Sequence, residues 1–367
     1  MPCPRSAERK STVTKPSSLG LVQTRGLVLV VLITLGPSLA NAAPMLVDPS
    51  VGTLDLVTPN PLEQAKINTI DGLAFDAFGN LFGVLENSGS AGAVVAIDKN
   101  TGLVTPLVTG ISRADHIAFH PSGDFFVSSE VGGFSTSNRI YRVTPTYNGS
   151  NVPVSATKQS LTTSIGIRGP EGLIVNETTN AFGNAGDLFI AEDSTSGRIL
   201  RVDPNSGTTT ILASGLNRPE GLDFGDFGGA LPGALYAAET NENRIVRIAA
   251  DGTVTSFGSP GAVGLTNPDN ADFGPDGFLY VSEDRGVPNS RIVRIAADGT
   301  HSVLITGFGQ AQGMEFDPAN GDLYIAEQDF DRVWRVRFVP EPASVVQAMI
   351  AAALLGMGGM FRRGRRR

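Results

Sequence analysis

The sequence predicts an all-β fold, a six-bladed β-propeller closed by an N-terminal strand, and three observations carry that prediction. The 367 residues include 44 glycines and 23 prolines, too many turn-formers for a helical bundle and well suited to short strands. Hydrophobic residues are 41% and charged ones 17%, so the chain is too apolar to remain disordered. One motif recurs six times between residues 43 and 339, its fifth position stepping by 44, 56, 49, 49 and 43 residues. Periods of about 40–50 residues built from short strands are propeller blades of four strands each.

Residues 1–42 read as a signal peptide. Arg5, Arg9, Lys10, Lys15 and Arg25 outweigh Glu8, and an apolar core follows at Leu27–Ile33. Ala40-Asn41-Ala42 then supplies a small-x-small site, which puts cleavage after Ala42. The apolar run falls short of the roughly 20 residues that a spanning helix needs.

The first strand of each blade opens on an acid or amide. The six strands are Asp71-Gly72-Leu73-Ala74-Phe75, Asp115-His116-Ile117-Ala118-Phe119, Glu171-Gly172-Leu173-Ile174-Val175, Glu220-Gly221-Leu222-Asp223-Phe224, Asp269-Asn270-Ala271-Asp272-Phe273 and Gln312-Gly313-Met314-Glu315-Phe316. Their last residues, five phenylalanines and the β-branched Val175, read as core packed between blades. In the fifth blade, a turn at Gly274-Pro275-Asp276-Gly277 leads to strands Phe278–Ser282, Arg291–Ile295 and Thr300–Leu304. The last blade stops at its third strand, Arg332–Val336. Gly52-Thr53-Leu54-Asp55-Leu56-Val57 matches the fourth-strand pattern of Gly252–Phe257. The N-terminal strand is therefore expected to close the ring and remove its open edges. Residues 43–338 are therefore expected to form one propeller, with no second domain.

Residues 339–367 read as a sorting segment. Val339-Pro340-Glu341-Pro342 precedes an apolar stretch, Ala343–Met360, and then Phe361-Arg362-Arg363-Gly364-Arg365-Arg366-Arg367. That stretch can just span a bilayer, and the arginines hold its end in the cytoplasm. The order resembles the PEP-CTERM sorting signal of exopolysaccharide-producing Gram-negative bacteria. The resemblance implies recognition by an exosortase, with cleavage near Pro340, Glu341 and Pro342. The expected course is export, an inner-membrane-anchored precursor, and then the cell surface or the extracellular space.

With the leader and the arginine tail set aside, 18 Lys and Arg face 35 Asp and Glu, a net charge near −17. That excludes a nucleic-acid role on electrostatic grounds. The one cysteine, Cys3, lies in the leader. The exported part therefore has no disulfide, thiol nucleophile or thiolate metal site. No P-loop, dinucleotide-binding glycine motif or His-Glu-x-x-His occurs.

The blade strings Leu188-Phe189-Ile190-Ala191-Glu192 with Arg198–Val202, Leu235–Glu239 with Arg244–Ile248, and Leu279–Glu283 with Arg291–Ile295 are similar to those of the NHL-repeat and gluconolactonase (senescence marker protein) group. The resemblance implies a six-bladed propeller and says little of function, because this fold hosts enzymes, binders and scaffolds.

Two acidic columns run through the blades. Glu130, Glu192, Glu239, Glu283 and Glu327 each precede an arginine, namely Arg139, Arg198, Arg244, Arg291 and Arg332. In the first blade Leu85 and Ala93 replace both partners. Acid and base vanish together, so they read as structural ion pairs across strands two and three. The second column is Asp71, Asp115, Glu171, Glu220 and Asp269, broken only by Gln312. No basic column tracks it. Innermost strands line the channel, so these carboxylates converge on one mouth and raise one another's pKa unless a cation relieves them. Hard oxygen ligands suit Ca²⁺ or another divalent cation. Glu171, Glu220 and Asp269 are the first candidate ligands, being on consecutive blades; Asp71 and Asp115 come second.

The lactonase resemblance implies a divalent metal held by a glutamate, asparagines and an aspartate. Glu171 or Glu220 matches the glutamate, Asp269-Asn270 supplies an aspartate or asparagine, and no second asparagine stands at an equivalent position. Streptogramin lyase, similar in blade pattern, uses histidine chemistry. Of His116, His120 and His301, only His116 adjoins the channel column, which makes it the candidate base. Two functions are expected from this reading. One is a binding or scaffold module at the cell surface or in the exopolysaccharide matrix, with a polysaccharide or surface protein as partner. The other is a divalent-metal-dependent, lactonase-like hydrolase or lyase in the channel. A deep pocket where several polar side chains converge on a point favours the enzyme, and a broad shallow face favours the scaffold.

Overall fold

The computed structural model describes residues 43–131, 138–257 and 264–339. They form six antiparallel sheets of four strands, sequential meanders in blades 1 to 5, with one strand added to the fifth. Blade 1 comprises Ile70–Phe75, Leu81–Leu85, Ala93–Ile97 and Val104–Thr109. Blade 2 comprises Ala114–Phe119, Phe125–Ser129, Arg139–Tyr147 and Pro153–Ser160. Blade 3 runs through Pro170–Val175, Leu188–Glu192, Gly197–Val202 and Thr209–Leu216. Blade 4 runs through Pro219–Gly225, Ala234–Glu239, Arg244–Ile248 and Val254–Phe257. Blade 5 holds Pro268–Phe273, Leu279–Glu283, Ser290–Ile295 and His301–Phe308. Blade 6 holds Ala311–Phe316, Leu323–Glu327 and Arg332–Phe338, with Gly52–Leu56 as its outer strand.

The ring closes as the sequence predicts. Gly52 pairs with Phe338 and Leu56 with Trp334, antiparallel throughout. Beyond the ladder, the Val339 amide donates to the Val51 carbonyl at 2.9 Å. A second clasp was not foreseen from the sequence: Met45–Leu46 pairs with the outer strand of blade 5, Met45 opposite Thr306. The N-terminal segment thus covers the outer edges of two blades, which protects both from pairing with another chain.

The last residues of the inner strands do pack between blades. Phe75 meets Tyr324 of blade 6 at 5.2 Å between ring centroids, and Phe119 meets Phe82 of blade 1 at 4.9 Å. Phe224 meets Phe189, Phe273 meets Tyr236, and Phe316 meets Tyr280, at 5.1, 5.3 and 5.0 Å. All are steeply inclined, edge-to-face contacts, each worth about 0.5–1.5 kcal/mol beyond the area buried. At the blade 2–3 junction Val175 joins Phe126 in the same buried cluster.

The glutamate–arginine pairs sit where expected in blades 3 to 6. Glu239, Glu283 and Glu327 lie directly opposite Arg244, Arg291 and Arg332 in the ladders, and Glu192 pairs with Arg198. Leu85 lies opposite Ala93 in blade 1. Each of the four glutamates also accepts a backbone N–H from the loop before its own blade's inner strand, donated by Arg168, Asn217, Thr266 and Gly309 at 2.7–2.9 Å. Their role is therefore to fasten loop to blade. Blade 2 departs from the pattern. Ser129, not Glu130, stands opposite Arg139, and Glu130 reaches Arg113 at 3.4 Å.

In blade 5 the second strand begins at Leu279 and ends at Glu283, and the fourth extends to Phe308. Keeping Glu283 in register with Arg291 accounts for the shift at the second strand. The signal peptide, the sorting segment and Pro340, Glu341 and Pro342 lie outside the described residues. Among the described residues no helix is long and apolar enough to cross a membrane.

Candidate functional site at the channel mouth

Every inner strand carries a register irregularity at the same place. It falls between Ile70 and Leu73, Ala114 and Ile117, Pro170 and Leu173, Pro219 and Leu222, Pro268 and Ala271, and Ala311 and Met314. The acid column and the residue after it occupy the bulge. A bulge re-aims side chains, and here it brings the acids to the mouth of the channel. Glycine follows the acid in three blades and Gln312 in a fourth, because the next inner strand approaches closely. A Cβ on Gly72 would lie 2.6 Å from the Asp115 carbonyl oxygen, and one on Gly221 would lie 2.5 Å from the Asn270 Cα.

Asp71, Asp115, Glu171, Glu220, Asp269 and Gln312 all line this mouth, a recess of about 250 Å³. Burial raises Asp71, Asp115, Glu171 and Asp269 well above the usual carboxylate range, and their neighbours' charges raise them further. Burial also pushes Glu220 up to about 7, against the pull of the Thr240 hydroxyl and the Arg218 guanidinium. Gln312 breaks the acidic series for a visible reason. Its amide faces the two Asp269 oxygens at 3.0 and 2.6 Å, which assigns its nitrogen to that side. Gln328 donates to Asp71 at 3.0 Å and to Glu86 at 3.3 Å.

The structure adds residues that the column did not reveal. Glu86 and Asp284 each follow a blade's second strand and join the rim, as do Arg113 and Arg218 from the loops before inner strands. Arg113 pairs with Glu86 at 2.9 Å. Arg218 donates to both oxygens of Asp193 at 2.5 and 2.6 Å and lies 3.2 Å from Glu220. Both arginines have a left-handed backbone, φ 48° and 55°, which turns the chain into the strand.

Of the predicted ligands, Glu171 and Glu220 come together. With Asp193 they offer three oxygens within 4.8 Å of one another. Asp269, Asp71 and Asp115 line the same mouth but stand outside that trio. Three hard oxygen donors at this spacing fit Ca²⁺ or Mg²⁺, although the cation must share Asp193 with Arg218. His116 lines the mouth too, and burial pushes its imidazole down to about 4, so the ring is neutral near pH 7. His120 lies elsewhere, bonded to Ser122 at 2.8 Å, and His301 starts an outer strand.

No family model matches the sequence, and no curated protein is similar to it. Solved structures share the architecture. A gluconolactonase of Xanthomonas campestris superposes with a TM-score of 0.57 at 15% identity, over 81% of this chain and 95% of its own. An auxiliary nutrient-binding protein of Bacteroides thetaiotaomicron does so at 0.54 and 15% identity, over 74% of this chain and 69% of its own. Another such protein, from Bacteroides ovatus, gives 0.52 at 17% identity over the same shares, 74% and 69%. At these identities the likeness shows the fold alone.

Proposed function

We propose that the chain is an exported propeller that binds a divalent cation in its channel mouth and, through it, a small polar or carbohydrate ligand at the cell surface or in the exopolysaccharide matrix. The observation that carries this reading is the convergence of Glu171, Asp193 and Glu220 within 4.8 Å, two of them, Glu171 and Glu220, lining a recessed, acid-lined pocket. A flat scaffold face has no use for such convergence, and buried like charges need a counter-ion. Glu171, Asp193 and Glu220 would hold the ion. Bound there, it supplies a Lewis-acidic centre for hydroxyl or carbonyl oxygens. Arg113 and Arg218 balance part of the surrounding charge and orient Glu86 and Asp193. The leader, the Pro-Glu-Pro segment and the arginine tail support export, transient anchoring in the inner membrane and processing by an exosortase.

A lactonase-like hydrolase or lyase is the second reading. It is favoured by the neutral His116 imidazole beside the mouth, a group able to accept a proton. The fold serves a gluconolactonase and nutrient-binding proteins alike, so the choice rests on the mouth and on turnover.

Calorimetric titration with Ca²⁺ and Mg²⁺ tests the reading. Binding is expected at or below millimolar ion, with a rise in melting temperature that Glu220→Gln removes. Binding at a hundredfold excess over Kd stabilises by about 2.7 kcal/mol. Absence of either ion's binding at that concentration overturns it. Lactone turnover that requires Ca²⁺ and is lost in His116→Ala would move the assignment to the second reading.

A further inference from the structure

The channel holds a second chamber whose acids take no part in the site proposed above. His116 and Asn270 line both cavities and so stand at the boundary between them. They occupy the position that is glycine in the other four blades, Gly72, Gly172, Gly221 and Gly313. The second chamber has a volume of about 460 Å³.

Three inner strands present a carboxylate to it at one register position: Asp223, Asp272 and Glu315, on blades 4, 5 and 6. The same position in blades 1, 2 and 3 is Ala74, Ala118 and Ile174. One wall is therefore acidic and the facing wall apolar. Glu177 adds a carboxylate from the loop after the inner strand of blade 3, and neither lysine nor arginine lines the chamber.

Asp223 is fixed by two backbone amides. Phe224 N–H donates to Oδ1 at 2.7 Å, and Phe273 N–H, from the next blade, donates to Oδ2 at 2.8 Å. That second donor is the neighbour of Asp272 in the chain, so the two carboxylates are brought side by side. Asp272 Oδ2 is buried, and among the described residues no donor reaches it. Burial, reinforced by the neighbouring acids, holds Asp272 well above the usual range and Glu315 up to about 8. Burial also takes Asp223 to about 6, against its backbone bonds. Asp223 and Asp272 also hydrogen-bond to each other, which raises Asp272 further, and no positive charge lines the chamber to relieve the group.

A single metal ion does not answer that need, since Asp223, Asp272 and Glu315 do not bring three ligand oxygens within 4.8 Å as the mouth trio does. A cavity of a few hundred Å³ with an apolar wall and a few converging polar groups is the usual setting for a small organic ligand. An ammonium group offers three donors and one charge. We propose that this chamber binds a protonated primary amine with an apolar body, the ammonium between Asp272 and Glu315 and the body against the wall of Ala74, Ala118 and Ile174.

Calorimetric titration of the protein with benzylamine, with benzyl alcohol as its uncharged counterpart, tests this. Benzylamine is expected to bind at least tenfold more tightly than the alcohol. Asp272→Asn should weaken it tenfold or more, while Glu220→Gln at the mouth leaves it unchanged. Ala118→Leu, which fills the chamber from the apolar side, should abolish binding even where Asp272→Asn does not fold. Equal affinity for amine and alcohol, no heat with benzylamine, or binding untouched by Ala118→Leu overturns the proposal. Asp272→Asn that folds, loses Ca²⁺ binding and leaves benzylamine unaffected would likewise overturn it, and assign the chamber to a metal.

Discussion

Glu192 and Glu220 are both buried, at 0% and 7% exposure, yet their surroundings give them different work. Glu192 is closed off by Arg198 and the Arg168 amide. Removing its charge leaves that arginine partly buried without a counter-charge, with the Gly166 carbonyl as an uncharged acceptor. Glu192→Gln is therefore expected to cost about 3 kcal/mol in urea unfolding, with any calcium response intact. Glu220 has Arg218 at 3.2 Å, but it stands among other acids that burial holds above their usual range. The folded chain keeps protons on these acids that the unfolded chain releases above about pH 4. Stability should consequently fall as pH rises from about 5 through 8, the range in which Glu220 gives up its proton near 7. Melting curves in EDTA across that range check the sign, and added Ca²⁺ should flatten the decline. A melting temperature that is level or rises with pH would show that the ring carries no such strain.

At the scale of single elements, the outer strand Gly52–Leu56 has more to do than its length suggests. It completes blade 6, so its deletion should expose the edge of Arg332–Phe338 and abolish cooperative unfolding, with aggregation as the visible result. Deleting residues 43–47 alone should cost far less, because blade 5 keeps its own four strands. If both truncations melt like the parent, closure by the N-terminal strand contributes nothing. The closing strand was readable because the six residues Gly52–Val57 repeat a fourth-strand pattern. The Met45–Leu46 clasp was not, since two residues carry no period. A similar limit hid part of the mouth. Glu86, Asp193 and Asp284 each come directly after the second-strand position whose glutamate column drew attention as ion pairs. Alternation along a strand sends the following residue to the other side, and that signal was present in Glu192-Asp193 and Glu283-Asp284. What no pattern could give is the distance that makes Glu171, Asp193 and Glu220 a trio while Asp269 stays apart.

For the whole molecule, the sixfold repeat explains why the fold was legible and the chemistry less so. Repetition announces the blades, and function lies where repetition fails. His116 and Asn270 replace glycine, Gln312 replaces an acid, and blades 4 to 6 carry acids where blades 1 to 3 carry Ala74, Ala118 and Ile174. A single sequence shows such exceptions without ranking them. Topology is tested at this scale as well. A reporter fused after Arg367 should be active in the cytoplasm and silent in the periplasm, and replacing the tail arginines with Ser should release more precursor outward.

Closure by Gly52–Leu56 also decides how the molecule would bear a pull on its tail. Chain leaves the last blade at Phe338, beside Gly52, and the Val339–Val51 hydrogen bond is the outermost of that ladder. Force applied through the tail meets this end first and loads the bonds one after another, as a zipper is opened, instead of all together as in sliding. A propeller held by its tail in flowing water would then yield at its clasp, while the other blades kept their shape.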